Sequence, residues 1–181
     1  MVIYLKKKTF FTLSTIFSII LGTFIHFIYN ILHKPFILGL FVPINESVFE
    51  HLKLVLIPLT VFGIIYSFVY GKKENNKNIW NYISIAVILS MIFIPLMHYL
   101  YIAIIKNAST IFDIVLYILS VIFSYIYIYI KNEKDNEKGE NKRGILLILL
   151  LYFIFVVFTI CPPRVELFKD PINNTYGIFW L

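Results

Sequence analysis

Pro43-Ile44-Asn45-Glu46-Ser47-Val48-Phe49-Glu50-His51-Leu52-Lys53 runs straight into the apolar stretch Leu54 to Tyr70, and this junction decides the fold. About 20 apolar residues let a helix cross a bilayer, yet this run opens with two carboxylates, a histidine and a lysine. Ser47-Val48-Phe49-Glu50 has the form of a capping box, in which the serine accepts from the amide three residues on and the glutamate reaches back to the cap amide. Ionisable groups at membrane depth are rare and costly, so a functional role is the default expectation for those that remain. For Ser47 and Glu50 both readings stay open: a finished helix end, or part of a site.

Outward from this junction, four more runs have the same character. The expected spans are 10–32, 47–70, 79–105, 111–130 and 144–160, with Pro162-Pro163 ending the last because proline cannot continue a helix. Hydrophobic residues make up 60% of the chain and charged ones 14%, far from the balance of a soluble domain. The expected fold is all-α, an integral membrane bundle of about five transmembrane helices forming one domain over 1–181. The first run, Phe10 to Leu32, follows Lys6-Lys7-Lys8 but is too long for a signal-peptide core and is read as a retained helix. A net charge of +6 sits in short connectors without a groove-reading or stacking module, which excludes nucleic acid as a partner and leaves the lipid bilayer. Cys161 is the only cysteine, so no internal disulfide forms.

Lysine and arginine counts set the orientation. Lys6, Lys7, Lys8, Lys72, Lys73, Lys77, Lys131, Lys134, Lys138, Lys142 and Arg143 fall on one side. The other side has only Lys34, Lys53, Lys106, Arg164 and Lys169. With five spans, the N-terminus is expected inside and the C-terminus outside, in a multi-pass cell-membrane protein. Tyr66, Tyr70, Trp80, Tyr82, Tyr127 and Tyr129 then fall at the inner interface, and Tyr29, Tyr99, Tyr101 and Trp180 at the outer one, as interface belts plus packing. The connector Lys131 to Arg143 reads as a mobile cytoplasmic loop, since it has no apolar face to bury. The connector His33 to Val42 is as apolar as a span and is expected to dip into the interface or pack over helix ends. In the tail, 161–181, Leu167, Phe168, Ile172, Tyr176 and Phe179 are expected to pack on the helix ends as a lid.

This topology puts all four histidines, His26, His33, His51 and His98, in the outer half or at its edge. At 1.5 Å per residue, His26 lies about 9 Å and His98 about 10 Å from the outer ends of their helices. Glu46 and Glu50 share a helix face with Lys53, and Ser47 and His51 are four apart on the adjacent one. Asp113, Tyr117, Ser120 and Ser124 form one polar stripe, and Gly22, Thr23, His26, Asn30 and His33 another; both are expected to face inward. The candidate ligand-binding residues are therefore His26, Asn45, Glu46, Glu50, His51, Lys53, His98 and Asp113. A divalent metal ion suits histidine with carboxylates, the candidate ligands being Glu50, His51, His98 and Asp113. No His-Glu-x-x-His spacing marks a metal helix. For His98 the bland alternative is a hydrogen bond to Asp113 across the short connector.

Leu40-Phe41-Val42-Pro43-Ile44-Asn45-Glu46-Ser47-Val48-Phe49-Glu50-His51-Leu52-Lys53 resembles the signature of a family of small multi-pass bacterial membrane proteins known only as a domain of unknown function. The tail, Asp170-Pro171 through Tyr176-Gly177, is similar to that family's ending. The resemblance implies about five spans and importance for Asn45, Glu46, Ser47, Glu50, His51 and Lys53. It implies no activity.

The leading functional expectation is a non-catalytic protein whose outer-leaflet cluster binds a cation, a metal ion or a lipid head group. One alternative is a membrane-embedded metal-dependent hydrolase of a lipid or peptide, with Glu50 as general base. A second is a structural subunit that uses the His33 to Val42 connector against a membrane-protein partner or a second copy of the chain.

Overall fold

A computed structural model describes residues 6–71, 78–135 and 140–179. The expectations for Lys72, Lys73, Lys77, Lys138 and Trp180 concern residues outside this set. Seven helices follow in order: α1 Lys7–Ile31, α2 Phe36–Gly39, α3 Val48–His51, α4 Lys53–Tyr70, α5 Ile79–Ile105, α6 Thr110–Lys134 and α7 Lys142–Ile160. Through Leu52, which keeps right-handed helical geometry, α3 and α4 form one rod from Val48 to Tyr70. Five helices are thus long and apolar enough to cross a membrane. Among the described residues there is no strand beyond a single bridge between Lys169 and Tyr176.

The five long helices begin and end within a few residues of the runs expected as spans, and the largest difference is instructive. α6 runs on to Lys134, four residues past the expected end, because Asn132 and Asp135 are buried rather than solvated. Asn132 accepts from the Tyr66 hydroxyl at 3.0 Å. The Asp135 carboxylate accepts from the Asn78 backbone and side chain at 3.1 and 3.2 Å. Asn141 accepts from the Trp80 amide at 2.9 Å, and Asn81 accepts from the Gly144 amide at 2.7 Å. Each thereby caps the first turn of the other's helix, satisfying amides that have no partner within their own helix. The described part of the Lys131 to Arg143 connector is therefore a tied junction; residues 136–139 lie outside the described set.

α4 is the hub, with 56% of its most apolar window buried against 22–33% for the other four long helices. At its Tyr70 end, Phe10, Phe11, Phe62, Tyr66, Tyr70 and Tyr125 interlock, with ring centroids 5.1 Å apart for Phe10–Tyr70 and 4.8 Å for Phe62–Tyr125. Tyr66 and Tyr70, expected at an interface, are inside this cluster, and Tyr29 is buried as well. Edge-to-face packing on Phe10 and Phe11 accounts for Tyr70 and Tyr66, whereas Tyr29 is buried in the aliphatic group of Ile25, Val42, Ile44, Leu54 and Ile178.

The Ser47 end of the bundle is closed by two segments. In the 35–47 connector, Gly39 lies against Tyr29, Ile44 and Ile178 with no room for a side chain. The tail turns back over α7: the Ile178 amide donates to the Thr159 carbonyl at 2.8 Å, and Phe168 packs on Phe49 with centroids 4.4 Å apart. Gly177 has φ +61°, and a Cβ there would lie 2.7 Å from both Pro162 and the Thr159 carbonyl. Only glycine fits this crossing.

Candidate functional site

The site grows from one tight turn. Asn45 accepts the Ser47 amide on Oδ1 at 3.0 Å, and Ser47 in turn accepts the Glu50 amide on Oγ at 3.3 Å, starting α3. Half of the expected capping box is present. The other half is not, because Asn45 already holds the Ser47 amide and frees the Glu50 side chain for other partners.

Those partners make a closed network. Glu50 Oε2 accepts from Lys53 Nζ at 2.6 Å and from the Ile44 amide at 3.2 Å, while Oε1 accepts from the Thr159 hydroxyl at 2.8 Å. Lys53 Nζ also donates to Thr159 Oγ1 at 2.8 Å, to the Gly39 carbonyl at 3.0 Å and to the Val42 carbonyl at 3.2 Å. The side chains of Lys53 and Glu50 are 1% and 3% exposed. Glu50 was a candidate base and metal ligand, and Lys53 a candidate ligand contact; in the fold both carboxylate oxygens and the ammonium are engaged by the chain itself. The network joins α3, α4, α7 and the 35–47 connector. Thr159 was not among the sequence candidates. It is the only threonine or serine in α7, and lies on the turn before Pro162, which was the available signal.

On the adjacent face, a different group converges. His51 Nε2 lies 3.4 Å from Glu46 Oε2, and His26 Nε2 lies 3.7 Å from Glu46 Oε1. The two imidazole rings are 5.0 Å apart between centroids. Among the described residues, His26, Glu46 and His51 form the group of three whose ligating atoms lie within 4.8 Å of one another. Tetrahedral zinc, with bonds of about 2.0–2.1 Å, places its donors roughly 3.3–3.4 Å apart. The Glu46 contacts with both rings are close to that spacing.

The ring orientation fits ligation too. His51 Nδ1 lies 2.8 Å from the Ser47 carbonyl, an acceptor, so Nδ1 carries the proton. In a neutral ring Nε2 then presents a lone pair to Glu46, and a carboxylate facing a lone pair requires a cation or a proton between them. With the ring protonated instead, its hydrogen bond to Glu46 holds that carboxyl below the usual carboxylate range, helped by the charges of His51 and His26 and opposed by burial. His26 Nδ1 is buried without a hydrogen-bond partner among the described residues.

His98 and Asp113 form a separate pair, Nδ1 to Oδ1 at 2.7 Å. Their layer is fixed by a contact one turn deeper. The Tyr117 hydroxyl donates to the Ser18 carbonyl at 3.0 Å, and it occupies, with the Leu54 carbonyl, the space that a side chain at Gly22 would need. One turn from that crossing toward the Ser47 end, α1 presents His26, α3 presents His51 and α6 presents Asp113. Asp113 is close enough to act electrostatically on the His51 ring. The convergence of His26, Glu46, His51, His98 and Asp113 at one end is thus present, with His26 and Glu46 rather than Glu50, His98 and Asp113 completing the close group around His51. The polar stripes differ in outcome: Ser120 and Ser124 are buried, whereas Thr23, Asn30 and His33 are exposed.

Compared with known proteins, residues 2–178 match the model of a family of unknown function, DUF6512. No curated protein and no solved structure matches the chain.

Proposed function

The chain belongs to the DUF6512 family, a family of unknown function, and from its site chemistry we propose a multi-pass membrane protein that holds a divalent cation at His26, Glu46 and His51. The observation that carries this reading is the facing of two imidazole Nε2 atoms onto the two oxygens of one carboxylate, with the Nδ1 of His51 held by the Ser47 carbonyl. A backbone carbonyl on the far nitrogen is the usual way in which a metal-binding histidine is oriented. Two imidazoles and a carboxylate suit zinc or a similar borderline ion. His98 and Asp113 form the neighbouring layer, a polar wall beside the ion. We place the protein in the cell membrane with the site at the outer face, on the strength of the lysine and arginine count. The role is binding rather than catalysis: with both Glu50 oxygens engaged by Lys53, Thr159 and the Ile44 amide, that residue is not free to act as a base.

Metal analysis of the detergent-purified chain tests the site. Wild type is expected to retain a divalent ion through gel filtration, and both His51→Ala and Glu46→Gln are expected to lose it while keeping their helical circular dichroism. His98→Ala is expected to keep the ion. Folded wild type that neither carries nor takes up zinc overturns the proposal, as does an ion content unaffected by His51→Ala.

A further inference from the structure

At the end of α7 the tail builds a cavity of about 300 Å³, lined by Pro162, Arg164, Asn174 and Tyr176. Two of its lining residues, Asn174 and Tyr176, belong to a small hairpin. The Asp170 amide donates to the Thr175 carbonyl at 2.9 Å, the Asn174 amide donates to the Asp170 carbonyl at 2.9 Å, and Lys169 bridges Tyr176. Asn174 takes φ +57°, a left-handed geometry that asparagine tolerates better than most residues. Asp170 is buried, and its carboxylate accepts from the Ile172 amide at 2.9 Å and from the Asn173 side chain at 2.8 Å. The one acid of the turn is thereby used up inside its own loop.

The residues that line the cavity include three able to donate hydrogen bonds. Besides Pro162 it is lined by Arg164, Asn174 and Tyr176, and among the described residues none of these three side chains has a hydrogen-bond or ion-pair partner. Elsewhere in the tail Lys169 lies 3.6 Å from Glu166, so these two charges offset each other. A guanidinium offers five N–H donors in a planar fork that matches phosphate oxygens. Among the described residues no carboxylate lines the cavity to oppose an anion.

We propose that this pocket binds a phosphate group, carried by an anionic phospholipid head group or free in solution. On the membrane-spanning reading above, the end of α7 lies at the level of head-group phosphates, which favours the lipid as the source. The phosphate chemistry stands without that reading and without the metal site.

The test uses the full chain in phosphatidylcholine nanodiscs with and without phosphatidylglycerol, and in detergent with inorganic phosphate, followed by unfolding temperature and by native mass spectrometry of retained lipid. Phosphatidylglycerol is expected to raise the unfolding temperature and to be retained. Arg164→Gln is expected to weaken this about tenfold or more, the loss that goes with one charge-assisted contact. In phosphate-free maltoside detergent without added lipid Arg164→Gln is expected to unfold with wild type, because Arg164 is exposed and has no hydrogen-bond or ion-pair partner among the described residues. Asn174→Asp, which keeps the backbone geometry and adds a negative charge to the lining, is expected to abolish the effect as well. Stabilisation by inorganic phosphate at the potency of the lipid assigns the pocket to the free anion. Stabilisation of Arg164→Gln equal to that of wild type, or none by either anion, overturns the proposal.

Discussion

Lys53 sits where a single residue has the largest leverage on the molecule. Its ammonium is fully enclosed and has four acceptors within 3.2 Å, one of them the Glu50 carboxylate. Burying an ion pair costs nearly what the pair returns, but removing one partner strands the other charge, at about 3–5 kcal/mol. Lys53→Met is therefore expected to lower the unfolding free energy by about that amount, measured by denaturant or thermal unfolding in detergent. The double variant with Glu50→Leu is expected to recover much of the loss, because no charge is left unpaired. A double variant no more stable than the single one contradicts this account. At this scale the sequence was only half legible. The i,i+3 spacing makes the Glu50 and Lys53 pair visible, but Thr159 lies 106 residues from Lys53 and no local pattern reports such a contact. Glu46 and His26 are visible as ionisable groups at one depth; their preference for His51 over Glu50 depends on Asn45 having taken the Ser47 amide.

Helix pairing at the opposite end depends on a glycine whose role is hidden in the sequence. A Cβ on Gly144 would collide with the backbone of Trp80 and Asn81, whereas one on Gly22 would meet mainly the Tyr117 ring. Backbone cannot move aside as a side chain does. Gly144→Ala is thus expected to cost about 1–3 kcal/mol and to cost more than Gly22→Ala; equal losses in thermal unfolding would contradict the close α5–α7 approach. The span boundaries were legible because they follow from apolar run length and prolines. The reciprocal caps of Asn81 and Asn141 were not, since Asn141, between Glu140 and Lys142, reads as solvated loop and Asn81, between Trp80 and Tyr82, as an interface residue until the neighbour across the bundle is known.

At the scale of the whole molecule, the described residues contain five helices long and apolar enough to cross a membrane, and the multi-pass reading proposed above, with an odd number of crossings, predicts that the two ends of the chain lie on opposite sides. In a Cys161→Ser background, which removes the single exposed thiol, cysteines at Lys134 and Ile172 report the two sides. In intact cells a membrane-impermeant maleimide is expected to label Ile172→Cys at once and Lys134→Cys only after permeabilisation. The reverse order inverts the orientation, and labelling of both from outside contradicts five spans. The hub position of α4 also bears on how such a molecule is made. On the same multi-pass reading, synthesis delivers helices in order, so α4 would reach the bilayer long before α7 brings Thr159 to meet it. An isolated lysine or glutamate at that depth would resist entry into lipid. Placed one turn apart on the same rod, Glu50 and Lys53 can neutralise each other with no help from later helices, so the nascent hub travels as a self-contained neutral segment and acquires its remaining partners only when the last helix arrives.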